Sequence, residues 1–346
     1  MAWEWNYEYE RWNKLKKDDI RPGMTLLLAS SLGGYDAELG WTANKNQSSV
    51  KPLELEHKVQ DSLEHDELNY TTFCTIDEHS RKMQEVIEEV IKEIFQEIEK
   101  DDKEIKEILD EVKLAALWYD IGKNHKKWQE KASDYIKEIR NKIEKILSSS
   151  NITEVESECL KSILSKLEKP SEPIAKFPDV ISYISSEQKL SVELKERIKS
   201  ELNIRFRPGI RHEASSALLG WNKWVNGEKG WTPLAVYLIA THHGKVRTIL
   251  RGIKEDNDDV FGIKDGDVIP AIKNWLNDDV RLETYMKYFG AKGEWSEDCT
   301  KYKMKTISWV EMVDNLIDKY GPLKLAFLES IIRACDMRAS SIEVNK

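Results

Sequence analysis

The chain has 346 residues, of which 33% are charged and 40% hydrophobic, and its formal net charge is −9. This length allows two average domains or one large helical domain with insertions, and the hydrophobic content suffices for a substantial core. The negative net charge excludes a protein that coats nucleic acid through a general positive field, so any nucleic-acid contact must be local.

Cysteine usage and the chain start bear on the cellular compartment. Cys74, Cys159, Cys299 and Cys335 lack the C-x-x-C spacing of a zinc knuckle or redox motif and form no disulfide framework. The N-terminus has no basic segment followed by an apolar run, and no stretch reaches the ~18 apolar residues of a membrane span. We therefore expect a soluble cytoplasmic protein with reduced thiols and no membrane contact.

The first part of the chain differs in character from the rest. After an aromatic start, a short apolar run covers Met24 to Ala29, and Gly33-Gly34-Tyr35 then turns the chain. We predict that residues 1–56 form a small strand-and-loop extension and that residues 57–346 form the main domain.

A helical period begins after Thr75. Thr75 and Glu78 have capping-box spacing, with Asp77 as a competing N-cap, and either choice puts His79 near the first turn. The apolar positions recur at three and four: Met83, Val86, Ile87, Val90, Ile91, Ile94, Phe95 and Ile98. A second helix is predicted to deliver Tyr119 and Asp120 at its C-terminal end, before Gly122.

The remaining helices follow from proline and glycine positions. Residues 131–205 are predicted to be a Lys/Glu-rich helical insertion, and a helix then begins near His212. The helix after Pro233 is strongly apolar and ends at Gly244, immediately after His242 and His243. An acidic loop is predicted over 254–267.

The last predicted helix starts at Gly321-Pro322 and brings Asp336 to the core boundary. Its predicted apolar stripe consists of Leu323, Ala326, Phe327, Ile331 and Cys335. The fold class is therefore all-α, a helical bundle with a small strand/loop N-terminal extension and a helical insertion.

Six residues able to hold metal ions occur in separated helical segments: His79, Asp120, His212, His242, His243 and Asp336. Imidazole and carboxylate ligands together suit manganese, iron, cobalt, nickel or zinc, whereas calcium and magnesium prefer oxygen cages. Any one histidine is equally explained by a hydrogen-bonded structural role. Two adjacent imidazoles after an apolar helix, however, cost desolvation unless a polar or metallic partner satisfies them.

Asp120 follows an apolar run and could bridge two cations. Two cations ~3.5–4 Å apart would clamp the attacking and leaving oxygens of a phosphodiester, so no nucleophilic side chain would be needed. The spacing leaves three alternatives open: a nuclease, a phosphohydrolase and a mononuclear hydrolase.

Five segments carry a resemblance to a known family: LEHDELNYTTFCTIDEHSRKM, LAALWYDIGKNHKKWQ, RHEASSALLGW, IATHHGKVR and IIRACDMRASS. In this order they resemble the HD nuclease domain of the CRISPR-associated helicase-nuclease of type I systems, over about residues 57–346. The segments RPGMTLLLASSLGGYDAELGW and FGIKDGDVIP are similar to the I-G/I-U subtype, in which the nuclease follows the helicase.

The resemblance implies an HD-domain bundle that binds one or two divalent transition metal ions, such as manganese, nickel, cobalt or iron, with magnesium disfavoured. One ion would be held by His79, Asp120, Asp336 and a histidine at position 119. The second would be held by Asp120, His212, His242 and His243, and Lys123 would act beside Asp120 as a catalytic or phosphate contact.

The sequence departs from the family pattern at position 119, where Tyr119 replaces the histidine of the HD pair. A phenol has an ordinary pKa of ~10 and is a poor ligand for most divalent ions at neutral pH. We therefore expect one well-formed and one weakened metal site. His125 as a substitute ligand is disfavoured because the family pattern already has a histidine there.

Cations flank the ligand motifs and are candidate phosphate contacts for a single strand: Lys123, Lys126, Lys127, Arg205, Arg207, Arg211, Lys245, Arg247 and Arg251. Trp118 or Trp128 is a candidate for stacking a base. The sequence has no phosphate loop or helicase box, so the resemblance implies a CRISPR helicase subunit or domain and an RNA-guided surveillance complex as partners.

The leading hypothesis is a metal-dependent nuclease that cuts single-stranded DNA in type I CRISPR interference, impaired to the extent that Tyr119 weakens one site. Two alternatives remain open at this point. One is an HD nucleotide phosphohydrolase, and the other is a catalytically silent module that binds DNA or docks the helicase.

Overall fold

The computed structural model describes residues 2–6, 11–16, 26–36, 40–42, 44, 72–95, 102–149, 151–204, 206–244, 259–284 and 307–344. Within these ranges the chain is mostly helical with short strands, which confirms the all-α prediction with a small N-terminal strand extension. The predicted boundary between residues 56 and 57 lies outside the described residues.

The N-terminal extension contains a three-stranded antiparallel sheet. Its strands are β1 (Ala2–Asn6), β2 (Arg11–Lys14) and β3 (Leu26–Leu28), in the order β2-β1-β3. A two-residue pair, β4 (Tyr35–Asp36) and β5 (Gly40–Trp41), follows the turn at Gly33 and Gly34, where both glycines have a positive φ. Within the apolar run, Leu26–Leu28 therefore form the third strand of this sheet.

Nine α-helices occur in the described ranges: α1 (Ile76–Phe95), α2 (Lys103–Trp118), α3 (Lys126–Leu147), α4 (Glu154–Lys166), α5 (Val180–Ser186), α6 (Val192–Glu201), α7 (His212–Val225), α8 (Pro233–Thr241) and α9 (Trp309–Val344). Four further short strands are β6 (Cys74–Thr75), β7 (Ile174–Lys176), β8 (Val268–Ile269) and β9 (Val280–Arg281). Thr75 and Glu78 form the predicted capping box of α1, so Thr75 and not Asp77 is the cap.

The helix α8 lies at the centre of the bundle. It is buried from Leu234 to Thr241 and packs against α2, α7 and α9. An apolar helix without a polar face is stable only when neighbours cover it on all sides. Thr232 caps its start and Gly244, with φ of 69°, follows its end, so the histidine pair is fixed at the middle of the molecule.

The predicted insertion has a hydrophobic core of its own. This second core is built from α3, α4, α5 and α6 and includes Ile143, Leu160 and Ile198. α3 belongs to both cores, because Trp128, Ala132 and Ile136 in its first half pack in the main core. A single continuous helix therefore connects the insertion to the residues that follow Asp120.

The middle of the insertion returns to the main core. β7 pairs antiparallel with β6, the short strand just before α1, and Phe177 is buried in the main core. The prolines at positions 170, 173 and 178 predict a break in the helical run here, and the structure places the strand β7 within that break. The insertion thus contributes Lys176 to the part of the bundle that holds His79.

The predicted apolar stripe of the last helix is wrong in its first turns. Leu323 is 85% exposed and Phe327 is 46% exposed, and Ala326 is also exposed. Ile331 and Cys335 are buried as predicted, and the other buried positions are Leu325, Leu328, Ile332 and Ala339. The predicted start at Gly321-Pro322 coincides with a break in α9, where Gly321 has φ of 73°. The buried face after this break is set by the packing of α9 against α1 and α8, which apolar spacing within the helix does not fix.

The described part of the predicted acidic loop is a compact turn. Asp259 accepts a hydrogen bond from the Gly262 backbone N–H and is buried, and Val260 and Ile263 form a bridge. Cys74, Cys159 and Cys335 are buried free thiols, while Cys299 lies outside the described residues. No helix in the described ranges is both long and apolar enough to cross a membrane.

Candidate metal centre

Three histidines at the start of α7 and the end of α8 lie close together, and one of them contacts Asp120. His212 Nε2 lies 3.2 Å from Asp120 Oδ1 and 3.0 Å from His243 Nε2. His212, His242 and His243 each offer one nitrogen within 4.8 Å of the others. We call these three residues together with Asp120 the histidine centre, and the structure places all four as the sequence predicts.

A serine and a glycine hold the two chain segments of the histidine centre in contact. The Ser216 hydroxyl on α7 donates to the Tyr119 carbonyl and accepts from the Gly122 N–H, at 2.6 and 2.7 Å. A Cβ at Gly122 would lie 2.1 Å from the His212 carbonyl oxygen. Only glycine therefore lets the turn after Asp120 approach the first residue of α7 this closely.

The histidine His242 is oriented as a metal ligand. Its Nδ1 lies 2.7 Å from the Ile239 carbonyl oxygen. Because a carbonyl only accepts, Nδ1 carries the proton and the Nε2 lone pair is free. This buried Nε2 has no hydrogen-bond partner among the described residues. A buried nitrogen aimed at other ligand nitrogens, with its ring fixed by a backbone carbonyl, fits a divalent cation.

Burial keeps the paired imidazoles neutral. Burial first, and then the His212 imidazole, lowers the pKa of His242 to about 4. Burial followed by His242 and His212 holds the pKa of His243 well below its usual range. Metal coordination requires the neutral imidazole, so both rings are in the ligand form at neutral pH.

A buried ion pair lies behind His212. Arg211 donates through Nε to Glu213 Oε1, and Glu213 Oε2 lies 3.8 Å from His212 Nδ1. Burial would raise the pKa of Glu213, but the Arg211 guanidinium and the His212 imidazole lower it to about 2. The His212 ring therefore lies between two ionised carboxylates, with Nδ1 3.8 Å from Glu213 and Nε2 3.2 Å from Asp120.

Asp120 is ionised and paired with a buried lysine. Lys123 Nζ donates to Asp120 Oδ2 at 2.9 Å, and both side chains are almost fully buried. Burial alone would raise the pKa of Asp120, but the Lys123 ammonium and His212 hold it well below its ordinary value. The two oxygens of Asp120 therefore face different groups: Oδ1 faces His212 and Oδ2 faces Lys123.

The other two predicted ligands, His79 and Asp336, meet around Tyr119. The Tyr119 hydroxyl oxygen lies 2.5 Å from His79 Nε2 and donates to Asp336 Oδ1 at 2.7 Å. His79 Nε2 lies 3.4 Å from Asp120 Oδ2 and 3.5 Å from Asp336 Oδ1. The structure therefore brings His79 and Asp336 together, with the phenol oxygen between them.

One charged residue in this region was missed by sequence reasoning. Lys176 on β7 is 1% exposed. Burial would raise the pKa of Asp336, but the Lys176 ammonium and His79 hold it far below its ordinary value. A single lysine in a Lys-rich insertion gives no signal in the sequence, since only the pairing of β7 with β6 brings it to this position. We call His79, Tyr119, Asp336 and Lys176 the tyrosine cluster.

The predicted substrate contacts have mixed outcomes. Lys245 and Arg247, with Arg205 and Arg251, lie outside the described residues. Lys123 donates to Asp120 and Arg211 donates to Glu213, so both cations contact carboxylates of or beside the histidine centre. Trp128 is fully buried against Phe206 and does not present a face for base stacking.

His125 is occupied elsewhere. Its Nδ1 accepts from the Lys127 backbone N–H as the cap of α3, and its Nε2 lies 3.2 Å from Asp267 Oδ2. Its ring nitrogens thus face Lys127 and Asp267, in keeping with the sequence argument that disfavoured His125 as a substitute ligand.

Comparison of the chain with models of protein families, with curated proteins and with solved structures finds no match.

Proposed function

We propose that the chain is a metal-dependent phosphodiester hydrolase, a nuclease that cuts single-stranded DNA in type I CRISPR interference. The observation that carries the proposal is the histidine centre: three imidazole nitrogens within 4.8 Å of one another beside the ionised Asp120. Imidazole nitrogens beside a carboxylate suit a divalent transition metal such as manganese, nickel, cobalt or iron.

The chain's own residues have distinct tasks in this proposal. When bound, a divalent ion would polarise a phosphodiester oxygen and lower the pKa of a water molecule. His212, His242 and His243 would supply neutral nitrogens, and Asp120 Oδ1 would supply a negative oxygen. Lys123, held on Asp120 Oδ2, fixes the orientation of that carboxylate and places a positive charge beside the centre for a substrate phosphate.

The partners follow from the resemblance of the ligand motifs and not from any surface contact. A helicase subunit or domain would supply the single strand, and an RNA-guided surveillance complex would recruit both. Lys245 and Arg247 directly follow the histidine pair in the sequence, which makes them the proposed contacts for strand phosphates.

Cleavage of a circular single-stranded DNA tests the proposal. The purified chain is incubated with manganese, nickel or cobalt, and the products are sized beside a metal analysis of the protein. We expect internal cleavage that His242→Ala abolishes. His125→Asn is the matched control, because it removes a buried histidine outside the centre while an asparagine retains the helix cap.

The same assay separates the alternatives. Turnover of mononucleotides without strand cleavage would favour an HD nucleotide phosphohydrolase. Stoichiometric metal without cleavage of either substrate would favour a silent module that binds DNA or docks the helicase. Absence of bound metal together with unchanged cleavage in His242→Ala would reject the assigned centre.

A further inference from the structure

The phenol oxygen of Tyr119 occupies the position where an ion shared by His79 and Asp336 would lie. It is 2.5 Å from His79 Nε2 and 2.7 Å from Asp336 Oδ1, while these two atoms are 3.5 Å apart. A transition metal needs its ligand atoms at roughly 2.0–2.2 Å. An oxygen already hydrogen-bonded to both side chains leaves no room for that arrangement.

The protonation pattern also opposes a cation. Tyr119 has one hydroxyl proton and donates it to Asp336. His79 Nε2 faces three oxygens, those of Tyr119, Asp120 and Asp336. A nitrogen surrounded by acceptors carries the proton itself and donates. His79 Nε2 is then a donor, whereas a metal ligand needs its lone pair.

The charge of this region is already balanced. Asp120 is paired with Lys123, and the charge of Lys176 acts on Asp336. Asp120, Asp336, Lys123 and Lys176 are all buried here, so two carboxylates are matched by two lysine side chains. A divalent ion would add two positive charges to this balanced, buried region, which is electrostatically unfavourable. The histidine centre differs, since no lysine lies among its three imidazoles in the group that could hold an ion.

We infer that the tyrosine cluster is a metal-free element in which the Tyr119 hydroxyl and the Lys176 ammonium replace one of the two ions of a dinuclear centre, so that the chain works with one ion at the histidine centre. The inference rests on the proposed function only in giving the ion at the histidine centre a catalytic role. Tyr119 is a positioning residue, because it precedes Asp120 and its carbonyl is fixed by Ser216. Asp336 and Lys176 act through Tyr119, whose hydroxyl donates to Asp336.

Metal stoichiometry tests the inference without measuring activity. The wild-type chain is titrated with Mn²⁺ or Co²⁺, bound metal is quantified by mass spectrometry, and the Co²⁺ absorption spectrum reports the ligand geometry. We expect the wild type to bind one metal ion per chain, which His242→Ala loses and Asp336→Asn retains. The double variant Tyr119→His with Lys176→Met should bind one further ion per chain. That further ion should remain bound when His242→Ala is added to the double variant.

A matched double variant controls for nonspecific effects. Tyr183→His with Lys199→Met makes the same chemical changes on the surface of the insertion, where Tyr183 contacts Lys166 and Lys199 pairs with Glu196. It should bind the same single equivalent as the wild type. A gain in this control equal to that of the Tyr119 and Lys176 variant would overturn the inference.

The remaining outcomes each decide the question. Two equivalents in the wild type, or one that Asp336→Asn removes, overturn the inference. The inference is also overturned if the double variant of Tyr119 and Lys176 binds no further metal ion although its circular dichroism spectrum shows that it is folded like the wild type. If that variant does not fold, the Asp336→Asn stoichiometry decides alone. No metal in the wild type defeats the proposed function, whereas a gained equivalent in the double variant would still support the inference.

Discussion

The Tyr119 hydroxyl donates a hydrogen bond of 2.7 Å to Asp336 Oδ1, although 217 positions separate the two residues in the chain. The bond joins the end of α2 to the C-terminal half of α9. Tyr119 and Asp120 are consecutive, so the same bond restrains the carboxylate of the histidine centre. The pair therefore couples the packing of α9 to the geometry of the proposed metal site.

The first prediction concerns the hydroxyl of Tyr119. Tyr119→Phe removes the donor to buried Asp336 while keeping the ring, so the free energy of unfolding should fall by about 1–3 kcal/mol. Urea denaturation of the metal-free chain measures the change. Tyr183→Phe, which removes a hydroxyl at a half-buried surface position, should change the stability much less. Equal effects of the two substitutions would contradict the assigned role.

The second prediction concerns the buried pair of Lys123 and Asp120. Asp120→Asn leaves the Lys123 ammonium buried without a counter-charge and should cost about 3–5 kcal/mol of stability. The double variant Asp120→Asn with Lys123→Met should recover part of this loss, because neither charge remains. A double-mutant cycle by urea denaturation gives the coupling. Additive losses would show that the pair is not coupled.

The third prediction concerns the carboxylate behind His212. Glu213→Gln removes the negative charge that orients the His212 ring, so the affinity for Mn²⁺ should fall about 10–100-fold. Isothermal titration measures the affinity, and the melting temperature of the metal-free variant reports whether the fold is retained. Glu228→Gln, at a surface pair with Lys223, should leave the affinity unchanged. An unaltered affinity in folded Glu213→Gln would exclude the positioning role.

The fourth prediction concerns the close approach at Gly122. A Cβ there would meet backbone atoms, His212 O at 2.1 Å and Ser216 N at 2.5 Å. Gly122→Ala should therefore separate Asp120 from His212, lower stability by about 1–3 kcal/mol and weaken metal binding. In Gly227→Ala the new Cβ meets nothing within 4 Å, and the positive φ of 72° is the only strain. Its metal affinity should match the wild type.

The fifth prediction concerns pH and the second core. Hydrogen bonds from the Ser191 hydroxyl and from Thr153 lower the pKa of Glu156 to about 2, and through them one carboxylate ties the caps of α4 and α6 together. A lowered pKa in the folded state stabilises the fold above the ordinary value of 4.5. This contribution is lost as the pH falls from about 4.5 toward 2.

The test compares wild type with Glu156→Gln by urea denaturation at several pH values. The wild type should be more stable by about 0.5–2 kcal/mol at pH 7, and the difference should shrink between pH 4.5 and 2. Glu158→Gln, on the exposed side of the same helix, is the control. A difference that stays constant down to pH 2 would show that the charge of Glu156 does not matter.

Much of the bundle was predictable because helix periodicity and caps are local. The helix starts predicted after Thr75, near His212 and after Pro233 agree with α1, α7 and α8, which begin at Ile76, His212 and Pro233. The first turns of the predicted stripe after Gly321 were wrong, although the break itself lies where the sequence placed the helix start. Packing against α1 and α8 decides which side of this part of α9 is buried, and apolar spacing alone does not.

The sequence predicted that the four residues of the histidine centre lie together and that His79, Asp336 and position 119 share one site, but it did not predict the place of Lys176 beside them. His212, His242, His243 and Asp120 are chemically distinctive and rare enough to stand out in the sequence. Lys176 is one of many lysines in the insertion, and its role depends on a two-residue strand pair with Cys74. Short strand pairs of this length carry almost no local signal.

The amino-acid sequence by itself determined which segments are helices and which residues lie at the helix ends, because backbone propensity, capping and apolar spacing act over a few residues. Only the tertiary structure decided which groups the residues at those helix ends contact. It set the Tyr119 hydroxyl between His79 and Asp336, paired Lys123 with Asp120, and buried Lys176 where its charge lowers the pKa of Asp336. Burial and proximity between distant segments control charge and protonation, and neither can be read from local spacing.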